Sequence, residues 1–461
     1  MAGPRRFQKQ MVRRSRAMVG SSRLWKSRLV FWLGALAIGL ISVLFARLSD
    51  GAQHLFRATF LGGGLTGWLP LIVTPAGFIL CAWAADRFFP GAQGSGIPQA
   101  IAARHLREDE NRGGYLTVRI IFGKILLTVA GLASGASIGR EGPTVQVGAA
   151  IMLLSARIGG MVHARGLILA GAAAGIAAAF NTPLAGIVFA IEEMSRSYQA
   201  RTNGLVLSAV IIAGAASLSL LGSYSYFGVA DTTADFPGDL ALIAATGIAG
   251  GLLGSLFSLS ALAIVTRIRR WRLHSRERRV LIVAGVAGFA VAVIGLASGG
   301  SAFGAGYEEA RDAIAGHSLA PGYFLAKFLA TLASTVSGIP GGLFAPSLAV
   351  GAGLGSTIGL MLGTNIGLAA VLGMAGYFAG VVQAPMTTIV IIVEMTGNHE
   401  NVVPIMAAAM LGYGVARLIS PTPLYHALSR LWIADAIRLR RAQTESSAAD
   451  GKDGAEPGQT T

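Results

Sequence analysis

Glu141 lies between glycines in GREGPTVQVG (Gly139 to Gly148), inside strongly apolar surroundings. The same construction returns 203 residues later in GGLFAPSLAVG, where Pro346 and Gly351 repeat the spacing of Pro143 and Gly148. An ionised carboxylate in such surroundings costs ~3 kcal/mol or more unless something compensates it. Glycine and proline also cluster at the edges of apolar runs in GSGIP (Gly94 to Pro98), SGIPGGLFAP (Ser337 to Pro346) and SPTPLY (Ser420 to Tyr425). These elements break helices, and a helix that begins in an apolar medium presents unpaired N–H groups and the positive end of its dipole. Two or three such ends meeting at one point would hold an anion. The hydroxyls of Ser95 and Tyr425 would add donors, and the backbone amides of Leu343 and Phe344 would complete the shell. No lysine or arginine need touch the ion, which keeps binding weak enough for release. A sodium site would call for carbonyls and carboxylates, so a small anion is the better fit.

The elements that must position these residues are membrane helices. With 53% hydrophobic and 13% charged residues over 461 positions and a mean hydropathy of +0.62, the chain has too little polar surface for a soluble globule. Apolar runs follow one another at residues 29 to 48, 68 to 85, 117 to 134, 166 to 191, 204 to 222, 238 to 266, 280 to 297, 322 to 336, 345 to 382 and 386 to 419. A crossing takes roughly 20 such residues, so some runs make one span and others read as shorter or broken pieces. No strand alternation occurs, which points to helices and away from a barrel.

The formal charge of +15 sits mainly in two places: nine of the 37 basic residues fall in residues 1 to 28 without an acid, and RIRRWRLHSRERR covers Arg267 to Arg279. Such segments mark the cytoplasmic side of a membrane protein. Without aromatic residues in a folded basic domain beside them they do not describe a nucleic-acid surface, and no nucleic acid is expected as a partner. The N-terminal segment lacks a small-residue cleavage site and is expected to be retained. The single Cys81 reads as a packing residue. The seven histidines show no paired metal spacing, and His399 in GNHEN reads as a loop residue, so no metal is expected.

The repeat extends further. GAAAGIAAAFNTPLAGIVFAIEEM (Gly171 to Met194) parallels GMAGYFAGVVQAPMTTIVIIVEM (Gly373 to Met395), with Pro183 over Pro385, Ile187 over Ile389 and Glu192 over Glu394 at an offset of 202. Two homologous halves follow. The expected organisation is a basic cytoplasmic segment 1–28, a first membrane repeat 29–222, a connection 223–237, a second repeat 238–430 and a short cytoplasmic tail 431–461. Much of the content of 63 glycines is explained by close helix packing. Helices broken at corresponding positions of two halves are the best pointer to a transporter's substrate site.

GSGIP, GREGP, GGLFAP, AAFNTPLAG with EEM, and a late PLY, in this order across about residues 28 to 430, resemble the CLC family of chloride channels and proton-coupled chloride transporters. The resemblance implies an all-α integral membrane protein with two inverted-topology repeats of tilted and broken helices. It further implies a homodimer with a separate pore in each subunit, set in lipid, multi-pass in the inner membrane with both termini cytoplasmic. Position by position, Ser95 and Tyr425 resemble the inner chloride-coordinating hydroxyls, and Leu343 and Phe344 supply the amides. Glu141 resembles the external gating glutamate. Glu193 resembles the internal proton-transfer glutamate, present in transporters and lacking in channel members. The resemblance therefore implies exchange of chloride for protons, with no cofactor beyond the transported ion; the alternative is a passive anion channel, which differs only in whether protons move. The stretch after Tyr425 is too short for paired nucleotide-sensing CBS domains, so regulation through them is not expected.

One departure concerns Gln99 and Ile101, which stand where bacterial members tend to carry acids, so that Lys124 lacks its usual partner. Plainer alternatives stay open: Glu141 paired with Arg140, Glu192 and Glu193 as solvated residues at a helix end, Ser95 and Tyr425 as caps or anchors, and Glu394 as structural. GASIG (Gly135 to Gly139) fits the G-x-S-x-G pattern around Ser137, but it lies in an apolar glycine-rich run without the strand-turn-helix setting that a serine hydrolase needs. No enzyme is expected.

Overall fold

Apolar runs punctuated by glycine and proline become a succession of helices. The computed structural model describes residues 22–453 except 63, 108–111, 162–163, 196–199, 223–226, 229–231, 236 and 272–274. Most of the basic segment 1–28, much of the connection 223–237 and the middle of the second basic block thus lie outside the described residues. The first half comprises α1 (Ser22–Phe60), α2 (Pro70–Arg87), α3 (Ile97–His105), α4 (Val118–Ala133), α5 (Glu141–Ile158), α6 (Ala164–Phe180), α7 (Pro183–Phe189), a π-helical turn (Ala190–Ser195) and α8 (Ala200–Leu221). The second comprises α9 (Leu240–Arg270), α10 (Arg276–Ala297), α11 (Tyr307–Ile314), α12 (Tyr323–Val336), α13 (Phe344–Leu362), α14 (Ile366–Val382), α15 (Pro385–Thr396) and α16 (Val402–Ile419), followed by α17 (Leu424–Asp453).

Seven of these, α1, α2, α8, α9, α10, α13 and α16, are long and apolar enough to cross a membrane. The outer surface is apolar, with Leu33, Leu36, Leu40, Leu44 and Leu48 all exposed along α1. The chain is a multi-pass membrane protein, because water would not tolerate such a face. The interior is built largely from small residues. A Cβ on Gly148 of α5 would meet the carbonyl of Gly171 on α6, and one on Gly351 of α13 would meet that of Gly373 on α14. The same glycine-to-glycine approach thus holds both helical hairpins.

The two halves correspond in detail. Asn181 and Gln383, 202 residues apart, are the two non-glycine residues with positive φ among those described, each at 58°. Each turns the chain before a proline that starts a short helix. This turn divides the run 166 to 191 into α6 and α7. In the second half, Gly363 (φ 64°) and Gly397 (φ 60°) divide runs that read as continuous in the sequence. Glu192 accepts hydrogen bonds from the amides of Met386 and Thr387 at the start of α15, while Glu394 accepts from Leu184 and Ala185 at the start of α7. Each half caps a helix of the other. Gly139 and Gly342 exchange both backbone hydrogen bonds, at 2.8 and 2.7 Å, as equivalent residues do about a local two-fold axis. The fold is the expected one of inverted, broken-helix repeats. Its one divergence at the end of the chain is that α17 continues through residue 430, because Tyr115 donates to the Trp432 carbonyl (2.9 Å) and Ala436 is buried against the core.

Candidate functional site

Three glycine-rich loops are knotted at the centre. Gly94 N–H donates to Ile339 O (3.1 Å), Gly341 N–H donates to Gly94 O (3.1 Å), and the Gly139–Gly342 pair lies beside them. These bonds bring the first turns of α3, α5 and α13 together. Gly96, with φ 98°, turns the chain into α3, and Pro98 starts it without a wasted N–H. On the far side of this loop the buried Lys124 of α4 donates to the carbonyls of Ala92 (2.7 Å) and Gly94 (2.6 Å). Gln99 donates to Gly91 O (3.3 Å) and to the Gln93 carbonyl. The lysine that faces no acid at Gln99 or Ile101 is therefore held by backbone oxygens, which pull the carbonyl side of the loop away from the centre.

On the central side stand the predicted residues. Ser95 is 8% exposed and Tyr425 is fully buried. The two hydroxyls lie within reach of each other, and neither has another hydrogen-bond partner within the protein, although buried hydroxyls ordinarily find one. A Cβ on Gly142 would sit 2.5 Å from Ser95 Oγ, so the start of α5 closes on this serine. Leu343 is the cap and Phe344 the first residue of α13, where helical geometry leaves amides without intrahelical acceptors. The Phe344 ring lies 5.9 Å from the Tyr425 ring. The Tyr425 hydroxyl is within electrostatic reach of Ser95, Glu141 and Glu193 together. Residues from positions 95 to 425 thus meet at one buried point.

Glu141 is fully buried at the first position of α5 and accepts a hydrogen bond from the Tyr307 phenol. Arg140 reaches Asp50 (2.8 Å) and the Ala46 carbonyl (2.7 Å) on α1. Glu193 is 1% exposed in the π-helical turn, a distortion frequent at functional positions, whereas its neighbour Glu192 is committed to capping α15. His426 Nε2 lies 3.0 Å from the Glu193 carbonyl and 3.8 Å from its Oε1. Ser137 is buried and shares a hydrogen bond with Thr331 (2.9 Å).

Tyr307 and His426 are not picked out by the sequence reasoning. A signal for Tyr307 exists: AFGAGYEEA (Ala302 to Ala310) aligns with AQGSGIPQA (Ala92 to Ala100) at an offset of 210. Lys327 then matches Lys124 at 203 and holds the carbonyls of Ala302 (3.1 Å), Phe303 (3.3 Å) and Gly304 (2.7 Å). His426 had one available signal, adjacency to Tyr425.

Two cavities approach this centre. One, of about 540 Å³, is lined by Asp50, His54, Arg57, Arg140, Tyr307 and Arg311 and reaches Glu141 through Tyr307. The other, of about 550 Å³, is lined by His105, Met194, Arg417, His426 and Arg430 and reaches Glu193 through His426. Helix ends and hydroxyl donors suited to an anion are thus flanked on each side by a buried carboxylate next to a titratable ring. Among the described residues no three His, Cys, Asp or Glu side chains gather as for a metal.

Residues 76–417 match the family model described as voltage gated chloride channel. The H(+)/Cl(-) exchange transporter ClcA of Yersinia pestis bv. Antiqua (strain Angola) is 31% identical over 432 residues, 87% of this chain and 88% of that protein. The protein of the same name from Citrobacter koseri is 31% identical over 442 residues, 89% of each chain. Among solved structures, that of a slow cyanobacterial Cl-/H+ antiporter superposes with a TM-score of 0.75 at 23% identity, covering 89% of this chain and 98% of that one. A CLC-type fluoride/proton antiporter gives 0.73 at 22% identity, covering 88% and 98%. At these identities the structural likenesses speak for the fold.

Proposed function

The chain belongs to the voltage-gated chloride channel family, and from that premise we propose that it is a secondary antiporter exchanging chloride for protons. The observation that carries the reading is the meeting of the starts of α3, α5 and α13 through the backbone bonds of Gly94 with Ile339 and of Gly139 with Gly342, with Ser95 Oγ closed on by Gly142 and the Tyr425 ring packed by Phe344. Ser95 and Tyr425 donate to chloride from the inner side, and the first-turn amides of Leu343 and Phe344 hold it with the positive end of α13. Glu141 gates the outer side. Its ionised carboxylate suits the same positive site as chloride and fills it in turn; chloride displaces it into a place where the protonated form is favoured. Occupancy by the anion and uptake of a proton are thereby linked. Glu193 supplies the second carboxyl on the inner side, where a proton must enter or leave. Chloride and protons are cargo, and no cofactor enters the cycle.

Sidedness follows from charge. The basic segment leads into α1, whose 39 residues end near the cavity lined by Asp50 and Arg57; that cavity faces outward. The basic end of α9 is tied to α17 by the Arg269–Asp435 pair (2.9 Å), which supports a cytoplasmic side for the His426 cavity and for both termini. The membrane is the inner membrane of a bacterial cell. Helices α7, α8, α15 and α16 form one face carrying exposed Leu184, Leu207, Ile211, Met386, Val403 and Met406, with the capping carboxylates Glu192 and Glu394 close beneath. Lipid is a poor neighbour for those charges, and a second copy of the chain covers this face in a homodimer.

Purified protein in liposomes, with chloride efflux and uphill proton uptake recorded together, tests the reading. Protons move with chloride in the wild type, and Glu141→Gln carries chloride without them. Chloride flux with no proton uptake in the wild type would identify a passive channel instead.

A further inference from the structure

Glu193 is 1% exposed, so a proton needs a carrier to reach it from the cytoplasmic cavity. A titratable group touching both can serve. His426 lines the cavity while its Nε2 stands 3.0 Å from the Glu193 carbonyl and 3.8 Å from the carboxylate Oε1. Its side chain keeps 14% of its surface exposed against 2% for that of Glu193. An imidazole is the side chain whose ordinary titration falls in the physiological range. We propose that His426 carries protons between the cytoplasmic cavity and Glu193. This rests on the antiport reading and adds to it the entry step on the inner side.

The step balances simply. Neutral His426, with its proton on Nε2, takes a second proton from cavity water at Nδ1. The Nε2 proton passes to Glu193 Oε1, which becomes a neutral carboxyl, and the ring is left neutral with its proton on Nδ1. Exchange with cavity water returns the ring to the starting tautomer, and outward-directed cycles run the same steps in reverse. The transfer asks the carboxylate to close from 3.8 Å to ordinary hydrogen-bond distance, roughly 2.8 Å, a movement of one side-chain torsion.

The charged surroundings are mixed. Glu193 faces the ring from the π-helical turn. From α3, Arg104 donates to the Met194 carbonyl (2.8 Å) and His105 bonds the Ile101 carbonyl through Nδ1 (2.8 Å). Arg417 of α16 is turned to the Pro421 carbonyl, Arg430 lines the cavity from α17 itself, and Arg269 of α9 is paired with Asp435.

The test compares His426→Gln with His426→Glu in liposomes. Glutamine keeps a donor toward the Glu193 carbonyl but does not titrate; glutamate has the same size and does. Expected for His426→Gln is a fall in chloride-driven proton uptake by roughly an order of magnitude or more relative to chloride efflux, with loss of its dependence on internal pH. His426→Glu is expected to recover proton uptake with a profile moved to lower internal pH. His105→Gln, in the same cavity, should couple like the wild type. A wild type that moves no protons overturns the antiport reading and the relay with it. A wild type that couples, with an unchanged ratio and internal pH profile in either His426 variant, overturns the relay alone. Should the glutamine variant fail to carry chloride, the shift or constancy of the glutamate profile still decides.

Discussion

Tyr425 bears the inner half of the proposed site, since its hydroxyl lies within reach of Ser95 while its ring packs on Phe344. Tyr425→Phe removes one donor and keeps the ring, so chloride binding should weaken by about 1 kcal/mol with coupling largely retained. Tyr425→Ala removes the barrier too, and chloride should then leak inward without a matching proton. Calorimetry and paired flux measurements separate the two; variants that both behave as wild type would take Tyr425 out of the pathway. Ser95, Glu141, Leu343, Phe344 and Tyr425 are legible in the sequence because each sits in a motif whose glycines and prolines announce a broken helix. Tyr307 and His426 are not, because their signals are faint: Tyr307 lies in a weak repeat of residues 92–100 at an offset of 210, and His426 has only its place next to Tyr425. Each matters through a partner more than 160 positions away, Glu141 in one case and Glu193 in the other, and a histidine examined for metal spacing says nothing about a proton.

At the scale of helices, the site exists because α5 and α13 can start beside one another, and that depends on how closely each packs on its own hairpin partner. A Cβ at Gly148 or Gly351 would run into a backbone carbonyl that cannot move aside, whereas one at Gly51 of α1 would meet nothing within 4 Å. Gly148→Ala and Gly351→Ala should therefore each destabilise the protein by about 1–3 kcal/mol, and Gly51→Ala should leave stability unchanged or slightly raised, since alanine favours helix. Thermal unfolding in detergent reads the difference; equal midpoints for all three would mean that the hairpins have slack. Repeats that preserve such contacts stay visible in sequence, which is why residues 139–148 and 341–351 announce each other. The loops at 92–100 and 302–310 do not, because they share only Ala92, Gly94, Gly96 and Ala100 with their counterparts and sit at an offset of 210 instead of 203. Backbone geometry and a lysine underneath are what they hold in common. Helix boundaries inside runs such as 345 to 382 are equally hidden, since an apolar glycine in a left-handed turn reads like an apolar glycine at a helix crossing.

The whole molecule places every proposed ion-handling residue, from Ser95 to Tyr425, in one chain around one local two-fold axis. The second half supplies what the first lacks: α13 brings the amides, α17 brings the tyrosine, and the first half brings both acids. The proposed site is therefore complete in a single subunit, and the dimer proposed on the α7, α8, α15 and α16 face would add stability in lipid without adding a residue to it. Completeness has a measurable consequence. A tandem dimer joining one wild-type subunit to one Glu141→Gln subunit should carry chloride through both and protons through the wild-type half alone, so proton uptake per dimer should be about half that of the wild-type pair. If the two subunits worked only in concert, the mixed dimer would lose proton coupling almost entirely. Paired chloride and proton fluxes from the three tandem combinations distinguish the cases, and proton uptake near zero in the mixed dimer would show that one subunit does not couple chloride to protons on its own.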